Sequence, residues 1–167
     1  MANKQDFKPE EWVKILQSPM LVGIAVSMAD PSGLWGALKE AAAASAEIGT
    51  AMRDASANAL INAVITDINT QDGRSALQNA LKNCFAGAEP AQCVERSLAN
   101  LRELSAILDE KAPIDAVAFK AWLCAVSQKV AEASTEGAFL GFGGAQVSDA
   151  EKATLADISK ALRMASA

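Results

Sequence analysis

The chain has 167 residues, of which 51% are apolar but only 5% aromatic, with no tyrosine and a formal charge of −5. That length suits one domain with a substantial core. The acidic balance, with Lys and Arg scattered singly, excludes the basic stripe of a nucleic-acid binder. The complete absence of histidine excludes Ser-His-Asp and Cys-His nucleophilic systems and His-ligated metals.

The apolar excess is carried by alanine, the best helix former, rather than by the β-branched and aromatic residues that strands favour. No segment alternates apolar and polar residues long enough to read as a strand. The expected fold class is all-α: one compact six- to seven-helix domain over 1–167, bundle-like or orthogonal.

Pro9 followed by Glu10 and Glu11 has the form of a helix start, with proline first and acids near the positive end of the dipole. Ser18-Pro19 repeats that form and predicts a second, apolar helix running to Ala29, stopped by Asp30-Pro31-Ser32-Gly33. The apolar run Met20–Ala29 is too short to span a bilayer, and the polar amino terminus has no signal-peptide core. A cytoplasmic protein without stable membrane insertion is expected.

A long helical pattern then runs from about Leu34 to Ile68, through Leu38, Ile48, Met52, Leu60 and Val64, and Asp72-Gly73 ends it. A shorter helix is predicted over Arg74–Phe85, with Gly87 placed as its carboxy-terminal cap. Pro90 opens a helix with Val94, Leu98, Leu101, Leu104 and Leu108 on one stripe, and Ala112-Pro113 breaks it. The segment from Ile114 to Ser134 is apolar over much of its circumference, which predicts the most buried, central helix. Glu136–Val147 holds four glycines together with Phe139, Leu140 and Phe142. Ser148-Asp149-Ala150-Glu151 has the spacing of a capping box and predicts a last helix to about Met164, with Ala153, Leu155, Ile158 and Leu162 facing inward.

Little of this carries chemistry. The paired acids Glu10-Glu11, Asp109-Glu110 and Asp149 with Glu151 read as exposed acids at helix ends. The glycines Gly141, Gly143 and Gly144 follow no strand and precede no lysine, so they do not form a phosphate loop. Cys124 reads as a small core residue. Cys84 and Cys93 flank the Gly87 turn and would face each other in a helical hairpin, which makes them a candidate redox pair. The remaining feature is the glycine-aromatic loop. Phe139, Leu140, Phe142, Gly143 and Gly144 either plug the bundle from above or form a patch that meets a partner.

The carboxy-terminal third also invites a comparison. Lys129-Val130-Ala131-Glu132-Ala133, a small turn, then Val147-Ser148-Asp149-Ala150-Glu151-Lys152 leading into Leu155 and Ile158 resembles the TerB-like, tellurite-resistance-associated helical proteins. Glu136-Gly137 stands where that family has Asp-Gly. The resemblance implies a two-lobed all-α fold and an association with metal or stress responses and membrane-linked complexes.

The functional expectation is a non-enzymatic interaction or assembly module, stress-related in setting, docking to a protein partner or to itself without a cofactor. The alternative is a small sensor or carrier that binds a metal ion through Glu136, Asp149 and Glu151, or an apolar ligand under the 136–147 loop. An enzyme working through carboxylates ranks last.

Overall fold

A computed structural model of the chain describes residues 1–29, 58–136 and 147–164, the side chains of 133–136 excepted. Among these residues there is no strand. A 3₁₀ turn at Lys4–Asp6 precedes six helices: α1 (Pro9–Ser27), α2 (Ala59–Ile68), α3 (Gln71–Phe85), α4 (Pro90–Lys111), α5 (Pro113–Glu136) and α6 (Asp149–Ala161). The all-α expectation holds, and no described helix is long and apolar enough to cross a membrane.

The first correction concerns α1. Ser18-Pro19 does not start a helix; it lies in the middle of one that runs unbroken from Pro9. Proline has no N–H to donate to the carbonyl four residues back, here that of Ile15. The Ser18 hydroxyl donates to that carbonyl at 2.7 Å, so the acceptor freed by Pro19 is still satisfied. Pro19 itself is buried. The helix therefore continues without leaving a buried polar group unpaired.

This continuity makes α1 the hub of the domain. It packs against all five other described helices, and beyond Glu10 none of its residues is fully exposed. Trp12, Ile15, Leu16, Leu21, Val22 and Val26 are buried around its circumference. The apolar composition of α5 had pointed to α5 as the central element; α1 takes that place. A helix apolar all round is ordinarily a buried one, and α5 departs from that rule on its outer side.

The amino-terminal end is fastened by three acids. The buried Asp115 of α5 accepts the Ala2 backbone N–H at 2.7 Å and the Asn58 amide at 3.3 Å. Asp67 at the end of α2 accepts the Trp12 indole N–H at 2.6 Å and pairs with Lys4 at 3.0 Å. Glu11 pairs with Lys111 at 2.7 Å, joining the start of α1 to the end of α4.

The predicted segment from Leu34 to Ile68 lies outside the described residues up to position 57. Its described end begins a new helix, because Asn58 is extended and its side chain accepts the N–H groups of Leu60 and Ile61 at 3.0 and 3.2 Å. Asp72-Gly73 likewise does not end a segment. Thr70 is the cap of α3, its hydroxyl accepting the Gly73 N–H at 2.9 Å, and both residues fall in the first turn. Gly73 is required for closeness rather than for a turn: a Cβ there would sit 1.9 Å from the Asp67 carbonyl oxygen. Gly87, at φ +64, terminates α3 in the left-handed conformation as expected.

Pro90 occupies the first position of a helix, as read from the sequence, while Pro113, read there as the break after that helix, is itself the first residue of the next one. The capping box at Ser148 also forms, with the Ser148 hydroxyl accepting the Glu151 N–H at 3.2 Å and Glu151 accepting the Ser148 N–H at 2.8 Å. The inward face of α6 is shifted from expectation: Ala153 is exposed, while Glu151, Thr154, Ile158 and Ala161 are buried. Ser105 of α4 donates to the Leu162 carbonyl at 3.1 Å and ties the end of α6 to the core.

Candidate docking face

The outer side of α5 is assembled from the same residues that made its sequence look buried. A helix places positions three and four apart on one face. Ile114, Val117, Ala118, Ala121 and Ala125 fall on an arc of about 100°, and all five are exposed. Cys124 lies at the edge of the arc, half-buried, and burial pushes its thiol pKa up. Ile114 is 85% exposed and Val117 68%, which makes them, with Met1, the large apolar side chains most open to solvent among the described residues. The stripe closes with Gln128, whose amide donates to Glu132 at 3.0 Å.

The opposite side of α5 explains why the helix stands firmly while presenting such a face. Phe119, Leu123 and Ala131 are fully buried, and Val126 and Val130 nearly so. Phe119 meets Trp122 edge-on, with ring centroids 5.3 Å apart. Lys120 is also buried on this helix and donates to Asp109 of α4. Asp109 was expected as a merely exposed acid at a helix end. It is exposed as expected, and it also serves two cations, the buried Lys120 and Arg163, which approaches to 3.7 Å.

The exposed sides of the other helices are conventional by comparison. α3 shows Asp72, Arg74 and Lys82; α4 shows Glu95, Arg102 and Glu103; α6 shows Lys152, Asp157 and Lys160. Each of these faces keeps water by charge. From Ile114 to Ala125 the α5 face has no charged group on it.

The candidate redox pair sits in the α3–α4 hairpin, and both cysteines are free thiols. The Cys93 thiol donates weakly to the Ala88 carbonyl at 3.9 Å. The Cys84 sulfur accepts from the Asn100 amide at 3.6 Å, two turns further along α4 than Cys93. Burial pushes the Cys84 thiol pKa up, the Arg96 guanidinium opposes that rise, and nearby Cys93 adds to it. Asn100 extends the contact to α1 by accepting from Gln17 at 3.3 Å.

The loop residues Phe139, Leu140, Phe142, Gly143 and Gly144 lie outside the described residues, as does the Glu136 side chain. Of the other two acids considered for a metal, Asp149 is exposed and pairs with Lys152 at 3.4 Å, while Glu151 is buried in the capping box. Among the described residues, no group of three or more His, Cys, Asp or Glu converges. Between the end of α1 and the starts of α4 and α6 lies an apolar groove of about 500 Å³, lined by Met28, Ala29, Val94, Ala150 and Thr154 among others.

The α5 face escaped the sequence reading because periodicity reports composition, not which of two apolar sides the fold covers. The one available signal was the run of alanines at 118, 121 and 125, which marks a side too small to fill a core. No family model, curated protein or solved structure matches the chain.

Proposed function

We propose that the chain is a non-enzymatic helical docking module whose contact surface is the outer face of α5. The observation that carries this reading is the uncharged apolar stripe from Ile114 to Ala125, with its two branched side chains open to solvent. Exposed apolar surface costs free energy in water and marks contact sites when it is contiguous. The rigid inner side of the same helix supports the role, since a preorganised surface loses little entropy on binding. The TerB-like resemblance supplies a setting, a stress-linked assembly in the cytoplasm.

The test is a photo-crosslinking amino acid placed at Val117 in the chain expressed in its own host, with Asp157 on α6 as the control position. A polypeptide crosslinked from position 117 and absent from 157 is the expected result. No crosslinked polypeptide at 117 refutes the proposal.

The groove beside Met28, Val94 and Thr154 favours a second reading, a carrier of a small apolar ligand. Native mass spectrometry distinguishes the two, because a carrier gains hundreds of daltons and a docking module gains a polypeptide.

A further inference from the structure

The geometry points to a processing site between Met1 and Ala2: the working form of the chain begins at Ala2, and its α-ammonium pairs with the buried Asp115. The Asp115 carboxylate motivates this. It lies buried in the first turn of α5, and a buried charge ordinarily has a close counter-charge. Asp115 instead accepts two neutral donors, the Ala2 N–H at 2.7 Å and the Asn58 amide at 3.3 Å. Among the described residues, the cation paired with it is the Met1 ammonium, 3.9 Å away on a residue that is 93% exposed. Water screens such a pair, which then contributes little.

Ala2 is held quite differently. Its side chain belongs to the hydrophobic core, so its nitrogen is fixed at the distance typical of a charge-assisted hydrogen bond. Loss of Met1 places a positive charge on that same atom without any movement of the backbone. An open cleft of about 230 Å³, lined by Met1, Ala2, Asp6, Lys111 and Asp115 among others, lets water reach the remaining two N–H groups.

The reaction is hydrolysis of the Met1–Ala2 peptide bond by an aminopeptidase specific for methionine. Water gives its oxygen to the methionine carboxylate and both its protons to the Ala2 nitrogen, so no oxidant or reductant takes part. Such an enzyme must admit the second residue to a confined subsite, and alanine is small enough. The step precedes folding, because Ala2 is buried afterwards.

Intact mass and amino-terminal sequencing of the full chain, purified untagged from its own host, read the site. A free amine on Ala2 is the expected result. A chain that keeps Met1, carries any other residue before Ala2, or has Ala2 acylated overturns the inference. Urea unfolding then compares the Ala2 form with the chain retaining Met1, made in the presence of a methionine-aminopeptidase inhibitor. A hydrogen bond to a charged group outweighs a neutral one, so the Ala2 form should have a folding equilibrium constant about three- to tenfold higher. In Asp115→Asn the two forms should be equally stable. Equal stability of the two wild-type forms overturns the inference whether or not that variant folds, and so does an advantage that persists in Asp115→Asn.

Discussion

Phe119 and Val117 lie two residues apart on α5 and should respond in opposite ways to substitution. Phe119 is fully buried, so Phe119→Ala removes a whole ring from the core and leaves a cavity, at about 3–5 kcal/mol. Losing its edge-on contact with Trp122 adds about 0.5–1.5 kcal/mol, giving roughly 4–6 kcal/mol in all. Against a typical total of about 5–15 kcal/mol, that takes away about a quarter or more of the stability. Val117 is 68% exposed, and glutamate is a better helix former than valine. Val117→Glu should therefore change stability by less than about 0.5 kcal/mol. Urea unfolding followed by circular dichroism measures both, with the loss appearing as a lower midpoint at constant slope. A cost above about 2 kcal/mol for Val117→Glu would refute the reasoning, because it would mean that the chain itself covers this face.

Three further outcomes follow from local geometry. Gly73→Ala should destabilise the fold by about 1–3 kcal/mol, since the added methyl meets the Asp67 carbonyl and the helix start must shift; the urea midpoint checks it. The Glu11 carboxyl is held below its ordinary pKa of 4.5, first by the Lys111 hydrogen bond and then by the Lys8 backbone N–H. Because the folded value is the lower one, this contribution is complete above the unfolded pKa and fades as pH falls through the folded one. The stability gap between wild type and Glu11→Gln should accordingly shrink in acid below pH 4.5, as acid titrations of the two proteins would read. Cys84, with its thiol pKa raised by burial, should react with iodoacetamide at neutral pH more slowly in the native chain than in urea; equal rates would contradict its placement.

The parts of the fold legible in sequence were those governed by a few adjacent residues. Pro9 and Pro90 begin helices because a first-turn N–H has no partner to lose, and Ser148 with Glu151 satisfies two donors by a purely local exchange. Pro19 was misread because its fate depends on Ser18 turning back to Ile15, an arrangement that burial on α1 favours and that the dipeptide does not announce. Gly73 looked like a turn residue, yet it is there because Asp67 passes too closely for a side chain. Asp109 looked idle for want of knowledge that Lys120 would be buried beside it.

The docking face shows the same limit at the level of function. The helix that holds Ile114, Val117 and the alanines at 118, 121 and 125 was expected to be the most buried one because it is apolar over much of its circumference. Only the packing of Phe119, Leu123 and Val130 against α1 and its neighbours decides which side faces water. Cys84 and Cys93 lie near enough for each to bear on the other's charge, and the Cys84 sulfur also meets Asn100.

The most direct test of the docking face is native mass spectrometry of the untagged chain, wild type and Val117→Glu, purified from its own host. The account predicts added mass equal to a polypeptide or to a further 17.4 kDa chain on the wild type, and its loss in the variant. A bare chain in both preparations, or added mass that Val117→Glu leaves untouched, would contradict it.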